Sequence, residues 1–156
     1  MFSNNQRNIR VFVDADACPV KKEISTIADV LNVAVIYVAS YNQASAHNAE
    51  GEWKYVDAEK EAADLYIMNQ AKPQDVAVTQ DIGLASILVK QGVNVLSPRG
   101  RYFEEKDMSE ALFMRYVSAK ERRAGHYGKG PKRFTDRDRE RFKETFQKLL
   151  SKLAGI

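Results

Sequence analysis

Five short apolar runs alternate with segments of helical periodicity along most of this 156-residue chain. That alternation constrains the fold more than any other feature. The runs occupy residues 11–13, 33–38, 53–56, 76–78 and 93–96. The second is continuously apolar, as expected for a strand of a parallel sheet buried on both faces. Between the runs lie helical segments at 19–31, 58–71 and 82–91, and two more follow, one over 108–123 and one beginning after Thr135. Ile24, Ile27, Ala28 and Leu31 recur at helical spacing in the first. Pro19 suits a first helical turn, where its missing N–H costs nothing. Gly92 stops the third helix, and Thr135 with Asp138 spells a capping box for the last. The pattern predicts an α/β fold: a three-layer sandwich with a mostly parallel central sheet, plus C-terminal helices.

The length suits one domain over 1–156 with a proper core, and the apolar content of 44% is ordinary for a globular chain. No apolar run approaches the roughly 20 residues of a membrane span, and residues 1–10 hold no apolar stretch of signal-peptide length. The chain reads as cytoplasmic, without a membrane partner. Its single cysteine, Cys18, fits a reducing compartment. Charge is unevenly placed. Residues 115–143 carry 11 Lys+Arg against 4 Asp+Glu, a net +7, while the remainder nets −4. An acidic body with a basic C-terminal segment suggests a polyanionic partner, although such a run also serves as an ordinary solvated surface.

The first apolar run ends in Asp14 and Asp16, within Val-Asp-Ala-Asp-Ala-Cys-Pro-Val at 13–20. In an open α/β sheet, ligands bind outside the carboxyl ends of the strands. Two carboxylates this close repel unless a cation or a proton neutralises them. A hard divalent ion, Mg²⁺ or Mn²⁺, suits an oxygen-only cluster. If extended geometry continues, both side chains point to the same side. A helix cap could explain Asp16 but not both acids. Asp81 repeats the arrangement in Val-Thr-Gln-Asp at 78–81; a cap role competes there too. If the two strands are neighbours, their ends lie about 5 Å apart, within reach of one shared ion. Asp64 falls inside an apolar helical arc of Ala63, Leu65, Ile67, Met68 and Ala71, where a carboxylate needs a hydrogen bond, an ion pair or a metal. Asp57 and Glu61 could extend the acidic cluster.

Other groups carry less. Cys18 has no histidine at convincing spacing, and His47 and His126 form no metal-ligand pattern. The segment Arg122, Arg123, His126, Tyr127, Lys129, Lys132 and Arg133 is interleaved with Gly125, Gly128 and Gly130. Glycines let backbone N–H groups approach phosphates, and Tyr127 could stack on an unpaired base. In the last helix, Phe142, Phe146, Leu149, Leu150 and Leu153 form the stripe to be buried. Arg137, Arg141, Lys148 and Lys152 fall on nearly the opposite face.

With these residues in hand, the chain resembles the YaiI/YqxD family of uncharacterised bacterial proteins. The motifs are Val-Asp-Ala-Asp-Ala-Cys-Pro-Val at 13–20, Ala-Asp-Leu-Tyr-Ile at 63–67, Val-Thr-Gln-Asp at 78–81 and Gly-Pro-Lys-Arg-Phe-Thr at 130–135. That family is in turn similar to the PIN and NYN nucleases, which gather acids around Mg²⁺ or Mn²⁺ and cut RNA. The resemblance implies one PIN-like domain, with a basic loop and terminal helix at 115–156. It sets the Asp14 and Asp81 strands side by side. It matches the first-strand acid to Asp14, the helix acid to Asp64 and the late acid to Asp81. PIN nucleases also supply an acid from an earlier helix, for which this chain has no clear counterpart; Asp16 is the candidate substitute.

The leading expectation is a metal-dependent ribonuclease. Asp14, Asp64 and Asp81 bind Mg²⁺ or Mn²⁺, and Asp16 completes the catalytic acids. The ion activates a water for in-line attack on a phosphodiester, while Arg122, Arg123, Tyr127, Lys129, Lys132 and Arg133 hold the RNA. One alternative is a non-catalytic RNA-binding or adaptor protein with a vestigial acidic site. Another is a phosphatase of the haloacid-dehalogenase type, with Asp14 as nucleophile and Asp16 as general acid/base. Self-association stays open.

Overall fold

Each of the five apolar runs becomes a strand, in a computed structural model that describes residues 8–41, 49–59, 61–105, 120, 125 and 132–155. In chain order the elements are β1 (Arg10–Asp14), a 3-10 turn (Ala15–Ala17), α1 (Lys21–Val30), β2 (Ala34–Ser40), β3 (Glu52–Val56), α2 (Ala62–Gln70), β4 (Val76–Val78), α3 (Ile82–Lys90), β5 (Asn94–Leu96) and α4 (Asp136–Ala154). The helix expected over 108–123 lies outside the described residues.

The sheet order is β3-β2-β1-β4-β5, with every neighbouring pair of strands parallel. The chain lays down β1, β2 and β3 in one direction, then returns across β1 to place β4 and β5 on the other side. The order therefore reverses between β1 and β4, and their carboxyl ends define the crevice of a doubly wound sheet.

Side-chain alternation builds two cores. Val11, Val13, Val35, Tyr37, Val76, Val78 and Leu96 face one side, against Ile24 and Ala28 of α1 and Phe142, Phe146, Leu149 and Leu150 of α4. Phe12, Ile36, Val38, Ala77 and Val95 face the other, against Ile67 of α2 and Leu84, Ala85 and Leu88 of α3. A central strand with both faces covered has no use for polar residues, hence the unbroken apolar runs.

The helix ends follow local chemistry. The carbonyls at the end of α1 meet Asn32, whose φ of 58° ends the helix in the left-handed region that asparagine tolerates. Gly92, at φ 86°, follows α3 in the same way. The Thr135 hydroxyl accepts from the Asp138 N–H at 3.2 Å, and Asp138 accepts from the Thr135 N–H at 3.0 Å, which is the expected capping box. Arg137, Arg141, Lys148 and Lys152 lie on the exposed face of α4, as expected.

One helix departs from expectation. α2 begins at Ala62 rather than at residue 58, and its fully buried residue is Ile67. Leu65, expected on the buried arc, is 51% exposed. It lies about 160° around the helix from Ile67 at 100° per residue, beyond the face the sheet covers. Asp64 stays within that face and is half-buried.

Two tertiary contacts fix the sheet ends. At the amino edge, fully buried Asp75 accepts from the Arg10 N–H at 3.1 Å, the Arg10 guanidinium at 3.1 Å and the Lys72 N–H at 2.9 Å. At the carboxyl edge, the turn after β5 packs on α4 so closely that a Cβ on Gly100 would sit 2.8 Å from the Arg141 and Phe142 backbone. No helix among the described residues is long and apolar enough to cross a membrane.

Candidate metal centre

β1 and β4 are hydrogen-bonded neighbours, with Val13 opposite Val78. The next residue on each chain, Asp14 and Thr79, therefore emerges at the crevice side by side. The Thr79 hydroxyl donates to Asp14 Oδ2 at 3.0 Å and accepts from the Asp81 N–H at 3.0 Å. The Asp81 carboxylate in turn caps α3, accepting from the Leu84 N–H at 3.1 Å. The Gln80 amide donates to the Ala17 carbonyl at 3.1 Å. Every residue of Val-Thr-Gln-Asp is thus accounted for. Val78 fills the core, Thr79 links two acids, Gln80 ties the strand end to the turn beyond β1, and Asp81 starts the helix.

Asp16 behaves differently from the conditional expectation that it would share Asp14's side. The strand ends at Asp14, and Ala15–Ala17 turns into a 3-10 coil. Asp16 swings toward β2, where the Ser40 N–H donates to both its oxygens at 3.1 and 3.2 Å. It is not a cap for α1, whose first turn begins after Val20 without a side-chain cap. Lys21 closes the same turn from below: its ammonium donates to the carbonyls of Ala15 at 3.3 Å and Cys18 at 2.8 Å.

The electrostatics agree with this geometry. Burial pushes the Asp14 carboxyl above its ordinary value of 3.8. The Thr79 hydrogen bond pulls it partly back, and the negative fields of Asp16 and Asp81 raise it again. Asp14 therefore senses the charges of both Asp16 and Asp81 across the crevice. Asp64 belongs to the first turn of α2, at the same carboxyl edge of the sheet because a helix that follows a strand starts where that strand ends. Asp57 and Glu61 are exposed beside it. Among the described residues, no group of three His, Cys, Asp or Glu side chains is placed to hold one metal ion. The expected triad of Asp14, Asp64 and Asp81 is thus not a preassembled cage. Burial also raises the Cys18 thiol to about 11, which leaves it protonated and inert as a nucleophile.

Of the expected nucleic-acid contacts, Arg122, Arg123, Tyr127 and Lys129 lie outside the described residues, as do His47 and His126. Lys132 and Arg133 are exposed. Arg99, from the turn after β5, holds their backbone. Its guanidinium donates to the Arg133 carbonyl at 3.4 Å, to the Lys132 carbonyl, and to Asp138 at 2.6 Å, and lies 5.6 Å from the Phe134 ring centre. Arg139 fastens the same end of α4 to α1 through the Pro19 carbonyl at 3.0 Å and Glu23 at 2.9 Å. Both side chains thus stand at the carboxyl edge of the sheet, the edge that carries the acids. Thr79, Gln80, Lys21, Ser40 and Arg99 are not among the residues that sequence reasoning selects. Only the motif around Thr79 carries a signal, because a buried hydroxyl one residue past a strand has to find a partner.

Comparison with known proteins adds identity to this geometry. A UPF0178 protein of Bacillus cytotoxicus is 49% identical over 147 residues, covering 94% of this chain and 96% of that protein. A UPF0178 protein of Bacillus velezensis is 49% identical over 153 residues, 97% of this chain and 91% of that protein. One from Listeria monocytogenes is 48% identical over 141 residues, 90% and 97% of the two chains. No solved structure matches. Residues 12–152 match the family described as "Uncharacterized BCR, YaiI/YqxD family", a span that includes all four candidate acids, and the chain belongs to that family.

Proposed function

We propose that the protein is a divalent-metal-dependent nuclease acting on RNA, similar in its arrangement to the PIN and NYN nucleases. The observation that carries this reading is the convergence of Asp14 and Asp81 at the switch point of the sheet, joined through Thr79. The donors are carboxylate and hydroxyl oxygens, which fit Mg²⁺ or Mn²⁺ and not a soft metal. The lack of a ready three-ligand cage among the described residues is compatible with the same ions. Mg²⁺ is ordinarily held by one or two carboxylates, with waters and substrate phosphates completing the shell.

In this reading Asp14 and Asp81 would hold the ion, with Asp64 and Asp16 reaching it directly or through water. Such an ion supplies charge stabilisation at the phosphoryl oxygens and a water acidic enough to attack. The chain's own residues do the rest. Thr79 fixes the rotamer of Asp14 and engages Oδ2, leaving the other oxygen for the cation. Lys132 and Arg133, held by Arg99, attract the phosphate backbone to the same edge. Arg122, Arg123, Tyr127 and Lys129 belong to the same basic segment and would extend that track.

Calorimetric titration of Mn²⁺ into the wild type and Asp14→Asn, followed by incubation with single-stranded and duplex RNA, tests the proposal. Binding and cleavage in the wild type, both lost in Asp14→Asn, are expected. Metal-dependent cleavage that survives Asp14→Asn would overturn it. Mn²⁺ binding without turnover of any RNA would instead make the acids a vestigial site in an RNA-binding protein.

A further inference from the structure

Four aromatic rings form a column along the β2–β3 edge of the sheet. Tyr37 is buried, and its hydroxyl is held by the Ser25 hydroxyl and by the Lys21 carbonyl at 2.8 Å. Its ring stacks on Trp53 at 4.7 Å and 21°. Trp53 is fixed by an indole N–H bond to the Ala49 carbonyl at 3.0 Å and stacks on Tyr55 at 6.1 Å and 20°. Tyr55 stacks on Tyr41 at 6.3 Å and 26°. The column starts in the core and ends in solvent, where Tyr41 is 62% exposed.

The position of the outer ring matters. Tyr41 directly follows Ser40, whose N–H holds Asp16. Tyr55 stands opposite Ala39 in the β2–β3 register, one position short of the strand ends. The exposed end of the column therefore lies at the carboxyl edge of the sheet, at the end of a strand that is one spacing, about 5 Å, from β1. Packing accounts for Tyr37 and Trp53, which bury area against the core. It does not account for Tyr41, whose ring is ordered by stacking yet mostly solvated.

We infer that Tyr41, backed by Tyr55, is a stacking platform for an unpaired base of single-stranded RNA whose backbone crosses the acidic crevice. This rests on the nuclease reading above and specifies its substrate as single-stranded. An aromatic face accepts any base, and sequence-tolerant stacking of this kind distinguishes single strands from duplexes, whose bases already stack on each other. The contribution is not ionic, so it persists at salt concentrations that weaken phosphate contacts.

The test uses the full chain as wild type, Tyr41→Ala and Tyr41→Phe, with labelled oligoadenylate and a duplex RNA in Mn²⁺. Binding is read from anisotropy before products form, and cleavage from the products. Trp53, the sole tryptophan, gives a second readout through its emission. Tyr41→Ala is expected to weaken oligoadenylate binding roughly 5- to 150-fold, the range for losing one base stack. Its salt dependence stays unchanged, Tyr41→Phe binds like wild type, and duplex affinity does not move. Equal oligoadenylate affinity for wild type and Tyr41→Ala overturns the platform, as does a wild type that binds no oligoadenylate. If cleavage continues while Tyr41 proves irrelevant, the platform falls and the nuclease reading stands. If binding depends on Tyr41 but no RNA is cut, the platform stands and the nuclease reading falls.

Discussion

Replacing Thr79 by valine isolates the bond that joins the two acids. Thr79 is 1% exposed, and valine has the same branched shape, so the exchange opens no cavity. It removes two hydrogen bonds. The one donated to the Asp14 carboxylate is charge-assisted and contributes about 1.5–3 kcal/mol; the one accepted from the Asp81 N–H is neutral and contributes about 0.5–1.5 kcal/mol. The new buried methyl returns about 0.8 kcal/mol. The net loss is therefore about 1–4 kcal/mol, or roughly 2–16 °C in Tm for a chain of this size. Urea unfolding at neutral pH measures it, with Thr79→Ser as the variant that keeps both bonds. A cycle with Asp14→Ala should show coupling of about 1–3 kcal/mol. The same bond lowers the Asp14 carboxyl, so Thr79→Val should also move Mn²⁺ binding to higher pH. A Thr79→Val stability within about 0.5 kcal/mol of wild type, additive with Asp14→Ala, would refute the link.

Asp14→Asn should stabilise the metal-free protein at neutral pH. The native carboxyl titrates above 3.8, so between 3.8 and that raised value the native state binds more protons than the unfolded one. Wild-type stability then falls as pH rises through that window. Asparagine abolishes that component, and thermal melts in EDTA across pH 4–8 read the difference. Asp75→Asn leaves the Arg10 guanidinium without its buried counter-charge and should cost about 3–5 kcal/mol by chemical denaturation, with no effect on Mn²⁺ affinity per folded molecule. Thr135→Ala removes the α4 cap and should cost about 1 kcal/mol, detectable as a small shift in the urea midpoint. Cys18 should react with a thiol reagent only as fast as the chain unfolds, because it is buried and protonated.

Much of this architecture is legible in local sequence. Period-two burial and unbroken apolar runs mark the strands because a residue's face depends only on its neighbours in the chain. The capping box at Thr135 and the stop at Gly92 are equally local. So is the placement of Asp14 and Asp81 at strand ends. The apolar arc of α2 reads too wide because periodicity alone does not say how much of a helix the sheet will cover; Leu65 therefore reads as buried and stands exposed.

What the tertiary structure alone decides is who meets whom. Asp14 and Thr79 are separated by 65 residues, and they touch because the crossover through α2 places β4 beside β1 rather than beyond β3. Asp16 is drawn to Ser40 because the chain coils after β1, which no alternation of side chains foretells. Asp75 with Arg10, Arg99 beneath Lys132, and Tyr41 at the head of an aromatic column are likewise products of strand order. The sequence by itself determined which residues face inward and where each strand stops, since these are properties of a few adjacent dihedrals. The routing of helices across the sheet, a long-range choice made by packing, determined which of those ends would lie together.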